Sequence, residues 1–160
     1  MAVEGPVFFD TSVLLAGLVE LGDTSVAADR ILDAIARGAV RQPQTAWHCC
    51  LEFYSVSTRL PGGLRLEPEL ARRLIDEEVL RRFEVHDLPP DARSRFIDAA
   101  AGDRVAGGRI YDAHIAEIAR LAGARVVVTD NPRHFVALLR YGIRVWSAAE
   151  FGTECGLTGT

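Results

Sequence analysis

Val7-Phe8-Phe9 is a short apolar run that stops at Asp10, the pattern of a buried strand. Thr11 or Ser12 then stands where a helix cap belongs, and Leu14, Leu15 and Leu18 follow at helical spacing. Thr24 or Ser25 opens a second helix with Val26, Ala27, Ile31, Leu32 and Ile35 facing a core, and Gly38 stops it. Residues 39–42 read as a strand before Pro43. Thr45 opens a third helix, with Trp47, Leu51 and Tyr54 on one stripe and Glu52 off it.

Pro61-Gly62-Gly63 breaks the chain. Residues 67–82 resume as a charged amphipathic helix carrying Leu70, Leu74 and Leu80, and residues 83–88 form a strand. Pro89-Pro90-Asp91 starts a helix around Phe96 and Ile97, and residues 102–108 form a loop. Residues 110–121 are helical with Ile115, Ile118 and Leu121 in phase, ending at Gly123. The clearest strand, residues 125–129, ends in Asp130. Asn131-Pro132 starts a helix through Phe135, Leu138 and Leu139, and residues 143–146 make a last strand. Strands alternate with helices throughout, which predicts a single three-layer α/β/α domain with a mostly parallel central sheet. The domain is expected over residues 1–150, with 151–160 a short, frayed, Gly/Thr-rich tail.

At 160 residues the chain has room for one domain and a sizeable core. All eighteen basic residues are arginine. With no lysine, P-loop, Schiff-base and receiver-type chemistry are excluded. A haloacid-dehalogenase site needs a second aspartate where Ser12 stands, and no Gly-x-Ser-x-Gly elbow exists for a serine hydrolase. The net charge of −4 speaks against a permanently coated nucleic-acid binder. Cys49, Cys50 and Cys155 have no disulfide or zinc spacing and read as free thiols, suiting a reducing, cytoplasmic setting. No run reaches the length of a membrane span, and the N-terminus lacks the basic region of a signal peptide.

Ligands of an open parallel sheet bind beyond the carboxyl ends of its strands, where the strand order reverses. Two strands here end directly in an aspartate, Asp10 and Asp130. If those strands are neighbours, their carboxylates meet, and two such groups about 4 Å apart repel by roughly 4 kcal/mol at an effective dielectric near 20. That pair needs a shared proton or a divalent cation. Each acid also has a plain structural reading: Asp10 and Asp130 as helix caps, Asp112 as a complement to a helix N-terminus, Glu52 on a solvated face. Taken together, Asp10, Glu52, Asp112 and Asp130 make an oxygen-rich set that suits Mg²⁺ or Mn²⁺ rather than zinc. The four histidines share no zinc spacing and read as surface residues. His114 and His134 follow proposed metal acids closely, so a supporting role is the alternative for them.

These segments resemble the motifs of PIN-domain nucleases. Val7-Phe8-Phe9-Asp10-Thr11-Ser12 is similar to the family's opening strand, and Leu51-Glu52-Phe53-Tyr54 to its helical glutamate. Gly108-Arg109-Ile110-Tyr111-Asp112 and Val128-Thr129-Asp130-Asn131-Pro132 resemble the third and fourth acid motifs. All four occur in the family's order, and the likeness is greatest to VapC-type toxins of toxin–antitoxin pairs. The stretch from about 60 to 103 is longer than in compact members, which bears on substrate choice.

The resemblance implies a metal-dependent endoribonuclease, with Asp10 and Asp112 as main Mg²⁺ or Mn²⁺ ligands and Glu52 and Asp130 completing or orienting the site. It implies Thr11, Ser12, Arg109 and Arg133 at the RNA; capping and plain surface roles are the alternatives for these four. It further implies a homodimer, and a cognate antitoxin whose arginine-bearing tail occupies the acidic site. The competing function is a catalytically silent PIN-like binding module.

Overall fold

The structure, a computed structural model, describes residues 3–157. Five short strands are β1 (Val7–Phe9), β2 (Pro43–Ala46), β3 (Glu84–His86), β4 (Val126–Val128) and β5 (Arg144–Trp146). They form one parallel sheet in the order β3-β2-β1-β4-β5. β1 is central, with Val7, Phe8 and Phe9 paired to Val126, Val127 and Val128. From β1 the chain winds outward to β2 and β3, then crosses back to β4 and β5. The order therefore reverses between β1 and β4, and Asp10 and Thr129 follow those two strands directly.

Helices cover both faces: α1 (Thr11–Leu18), α2 (Val26–Ala36), α3 (Trp47–Ser57), α4 (Pro68–Leu74), α5 (Arg93–Gly102), α6 (Arg109–Leu121) and α7 (Ala148–Glu154). α4 continues as wider π-type turns over Ile75–Leu80. Gly17 lets α1 and α2 touch: a Cβ there would stand 2.5 Å from Leu32 Cδ1. Gly38 ends α2 in the left-handed region at φ +71°, as its sequence position predicts.

The sheet supplies the centre of the core, with Val7, Phe8, Phe9 and Val126–Val128 essentially without solvent contact. Phe9 meets Phe83 edge-on at 5.8 Å and Phe151 at 5.5 Å between ring centroids. Such pairs contribute about 0.5–1.5 kcal/mol each beyond burial. Because Phe9 is held from both sides, the residue after it is held too.

Several local expectations are corrected. The second strand is Pro43–Ala46 rather than 39–42. Gln42 turns through φ +50°, and Pro43, lacking an N–H, fits the first position of the strand. Thr45 therefore lies inside β2, where its hydroxyl donates to the Phe9 carbonyl at 2.8 Å, and does not cap α3. α3 is also rotated: Cys49, Cys50, Phe53 and Ser57 are buried, while Trp47, Leu51 and Tyr54 are exposed. On that buried stripe Phe53 is the one large ring, and small thiol and hydroxyl side chains fill the space around it against the sheet.

In the next helical segment Ala71, Ile75 and Val79 are inside, and Leu70 and Leu80 are outside. Ile97 and Leu121 are exposed as well. Past Asn131 the chain makes two 3-10 segments, Pro132–His134 and Val136–Tyr141, instead of one helix, and Leu139 faces out.

The chain beyond 150 is ordered as far as it is described. α7 begins with a capping box, in which the Ser147 hydroxyl accepts the Glu150 N–H and the Glu150 carboxylate accepts the Ser147 N–H. It buries Phe151 against the sheet. The expected tail thus contributes a core residue up to Glu154, and residues 158–160 lie outside the described residues.

Candidate active site at the carboxyl edge of β1 and β4

Asp10 is fixed before its chemistry begins. Its backbone N–H donates to the Val128 carbonyl at 3.0 Å, tying the end of β1 to the end of β4. Its own carbonyl accepts from Val13 and Leu14, so α1 starts from the same residue. The side chain does not cap that helix. Instead Asp10 Oδ2 accepts from the Thr129 hydroxyl at 2.8 Å and the Ser12 hydroxyl at 3.1 Å.

Asp10 is buried, and its pKa is pushed up to about 6. Loss of water is the main cause, and the nearby Glu52 carboxylate adds to it. The bonds from Thr129, the Thr11 backbone and Ser12 oppose the rise. An ionised Asp10 is therefore under-solvated, and a cation beside it would relieve that cost.

The other expected residues gather by different routes. Glu52 is half-buried on α3, and its Oε2 accepts from the Thr11 hydroxyl at 2.6 Å. The Ser12 hydroxyl also accepts the Asp130 N–H at 3.0 Å, which binds the start of α1 to the loop after β4. So Thr11 and Ser12, expected at the RNA or as caps, join Asp10, Glu52 and the Asp130 backbone into one network. The Asp130 side chain is exposed.

Asp112 stands in the first turn of α6, where its Oδ2 meets His134 Nδ1 at 2.7 Å. Arg109, Arg133 and His134 line a cleft of about 290 Å³ with Asp112 at its wall. His134 is thus both surface-exposed and in contact with a proposed ligand. Thr129 is the residue that sequence reading missed. A hydroxyl one residue before an aspartate, at the end of an all-valine strand next to β1, was the available signal.

The donors are carboxylate oxygens, which suits a hard divalent cation. As folded, Glu52 is engaged with Thr11 and Asp112 with His134. Among the described residues no three His, Cys, Asp or Glu side chains are grouped as a metal site. Donor chemistry fits the ion, and the residues that would hold it are Asp10, Glu52, Asp112 and Asp130. Cys49, a buried neighbour of Asp10, is not a donor: burial and the charge of Asp10 push its thiol up to about 12.

The family model described as PIN domain matches residues 7–138. Ribonuclease VapC40 of Mycobacterium tuberculosis (strain H37Rv) is 32% identical over 123 residues, covering 76% of this chain and 84% of the relative. Ribonuclease VapC27 of the same strain is 31% identical over 125 residues, with 78% and 85% covered. Among solved structures, FitAcB from Neisseria gonorrhoeae aligns over 89% of this chain and 98% of its own, at a TM-score of 0.59 and 16% identity. VapC20 of M. tuberculosis, described as a Sarcin-Ricin loop cleaving toxin, aligns over 76% and 86%, at 0.58 and 15%. At such identities these structural likenesses speak for the α/β/α fold alone.

Proposed function

This chain belongs to the PIN domain family, and from that membership we propose that it is a metal-dependent endoribonuclease of the VapC type that hydrolyses RNA phosphodiester bonds at the β1/β4 edge. The observation that carries the reading is the Asp10 network, in which a buried carboxylate is held by Thr129 and Ser12 at the strand-order reversal. A core aspartate with a raised pKa and, among the described residues, no basic partner is costly for a merely structural residue.

In this reading Asp10 and Asp112 are the main ligands of Mg²⁺ or Mn²⁺, and Glu52 and Asp130 complete or orient the site. A bound divalent ion supplies a water of lowered pKa and neutralises charge on the phosphoryl oxygens. Thr11 holds Glu52 toward the site, and Ser12 holds Asp10 and the Asp130 backbone in register. Arg109 and Arg133, at the cleft beside Asp112, grip the phosphates flanking the scissile one. The protein acts in the cytoplasm as a homodimer restrained by a cognate antitoxin. Among the described residues no helix is long and apolar enough to cross a membrane.

The alternative, a silent binding module, draws on the engagement of Glu52 by Thr11 and of Asp112 by His134. Purified protein incubated with mixed structured and single-stranded RNA decides between them, in Mn²⁺, Mg²⁺ or chelator, with Asp10→Asn as control. Metal-dependent cuts absent from the control are the expected result. No cleavage, and no rise in melting temperature with either ion, would leave only the silent module.

A further inference from the structure

The rotation of α3 leaves something the acidic site does not use. Trp47 and Leu51 are turned out of the core, 41% and 56% exposed, and Tyr111 on α6 is 56% exposed opposite them. Between the two helices lies an open cleft of about 550 Å³, and Glu52 forms part of its wall. The cleft is therefore continuous with the proposed catalytic edge.

Its lining alternates aromatic faces with hydrogen-bonding edges. His48 Nδ1 and His114 Nδ1 lie 2.7 Å apart, one ring donating to the other, which leaves both Nε2 atoms without a protein partner among the described residues. Tyr111 meets His48 edge-on at 5.7 Å, so the ring is braced from one side. Asp87 and Arg59 also line the cleft. Among the described residues the Arg59 guanidinium has no ion pair or hydrogen bond, while its backbone N–H donates to the Val56 carbonyl at 3.1 Å.

We propose that the α3–α6 cleft binds an unpaired nucleobase of the RNA, one nucleotide from the scissile phosphate, with Trp47 and Tyr111 as its stacking surfaces. The inference rests on the ribonuclease reading of the adjoining site. Each half of the composition has a use. Aromatic faces accept any base, because every base has a face to stack. The Asp87 carboxylate accepts hydrogen bonds from an exocyclic amino group. The Arg59 guanidinium, unpaired among the described residues, serves the neighbouring phosphate.

A flat apolar face would fit a protein partner as well. This one is interrupted by two histidines, an acid and an arginine, and it opens onto Glu52. Uracil has no amino group for Asp87, so adenine, guanine and cytosine are favoured over uracil at this position. A base held here must be out of a duplex, which limits cleavage to loops and single strands.

The test uses Trp47 as its own reporter, in the Asp10→Asn protein so that RNA survives. Short single-stranded oligonucleotides of cytosine, of uracil, and with abasic sites are titrated while tryptophan fluorescence is followed. The expected result is saturable quenching by cytosine RNA that disappears in Trp47→Phe. Affinity falls on the order of tenfold in Tyr111→Ala, and by a similar factor with abasic RNA. Asp87→Asn narrows the gap between cytosine and uracil.

Equal binding of abasic RNA would overturn the base subsite. So would unchanged RNA affinity and unchanged cut sites in a Trp47→Ala/Tyr111→Ala double variant, which would assign the face to a protein partner. Circular dichroism of each variant excludes unfolding as the cause. If wild-type protein cleaves RNA with metal and these variants match it, the subsite fails and the nuclease reading stands. If quenching is base-dependent and nothing is ever cleaved, the nuclease reading fails while the cleft still binds the base.

Discussion

Asp10 and Asp112 are offered for the same ion from opposite surroundings. Asp10 is buried at the end of the central strand, its position set by Phe9 between Phe83 and Phe151 and by hydroxyls from Thr129 and Ser12. Asp112 is half-buried in the first turn of α6, and its one ion pair among the described residues is to a histidine whose side chain is 47% exposed. One carboxylate is positioned by the core and strained electrostatically; the other is positioned by a partner that water can replace. The first half of the site is pre-organised, and the second half is free to close on a ligand. Substitutions at the two ends should therefore separate. Changes at the core end alter both chemistry and stability, and changes at the α6 end alter chemistry alone.

The largest effect is on catalysis. Asp10→Asn and Asp112→Asn should each lower metal-dependent RNA cleavage at least about a hundredfold, about 3 kcal/mol in barrier. Single-turnover assays on one mapped RNA measure it. Less than a fivefold loss for either would remove that residue from the ligand set.

Stability splits the pair next. The folded pKa of Asp10, about 6, lies above its ordinary value of 3.8. The folded state then binds the proton more tightly than the unfolded chain does. The contribution is fully present below pH 3.8 and is lost as pH rises through about 6. A shift of about two units corresponds to about 3 kcal/mol. Without metal, Asp10→Asn should consequently be more stable than wild type at pH 8 by up to about 3 kcal/mol, and nearly equal to it at pH 4. Urea melts across this range would refute this if Asp10→Asn gained no stability over wild type as pH rises.

Thr129→Val sharpens it by removing one bond to Oδ2 while keeping the shape. An unmet hydrogen bond at a buried carboxylate costs about 1–3 kcal/mol. Since Thr129 opposes the rise in the Asp10 pKa, its loss should also move the pH-dependent decline in stability to higher pH. NMR titration of the Asp10 carboxyl carbon follows that shift directly; no upward movement would mean that Thr129 does not support the charge.

The same contrast explains what could be read from sequence. Strands that are short but wholly apolar, such as Val7–Phe9 and Val126–Val128, announced themselves, and an acid directly after the first and one residue beyond Thr129 after the second marked the edge. Their adjacency was only a condition, and the sheet order β3-β2-β1-β4-β5 supplies it. Helix phase was less legible wherever the buried face uses small groups. Cys49, Cys50 and Ser57 pack inward on α3, so counting large residues put Trp47, Leu51 and Tyr54 on the wrong side. Strand β2 was misplaced because Pro43, normally a breaker, is its first residue. The tail was misjudged because its glycines and threonines outnumber Phe151, the one ring that the core requires. The pairing of hydrogen-bond partners far apart in the chain, Thr11 with Glu52 and Thr129 with Asp10, has no periodicity to read; only the fold brings them together.

The smallest effect tests the α6 end by itself. His134→Ala removes the one ion pair that the Asp112 carboxylate makes among the described residues, a partly exposed pair whose loss should cost less than about 1 kcal/mol. If Asp112 is free to turn toward an ion, releasing it from His134 leaves the rise in melting temperature with Mn²⁺ intact, or strengthens it at low metal. Asp112→Asn blunts the same rise. Differential scanning fluorimetry over micromolar to millimolar Mn²⁺ compares the three proteins. A His134→Ala curve as flat as that of Asp112→Asn would mean that His134 holds the carboxylate in place for the ion. Both halves of the site would then be pre-organised, and the distinction between Asp10 and Asp112 would reduce to burial.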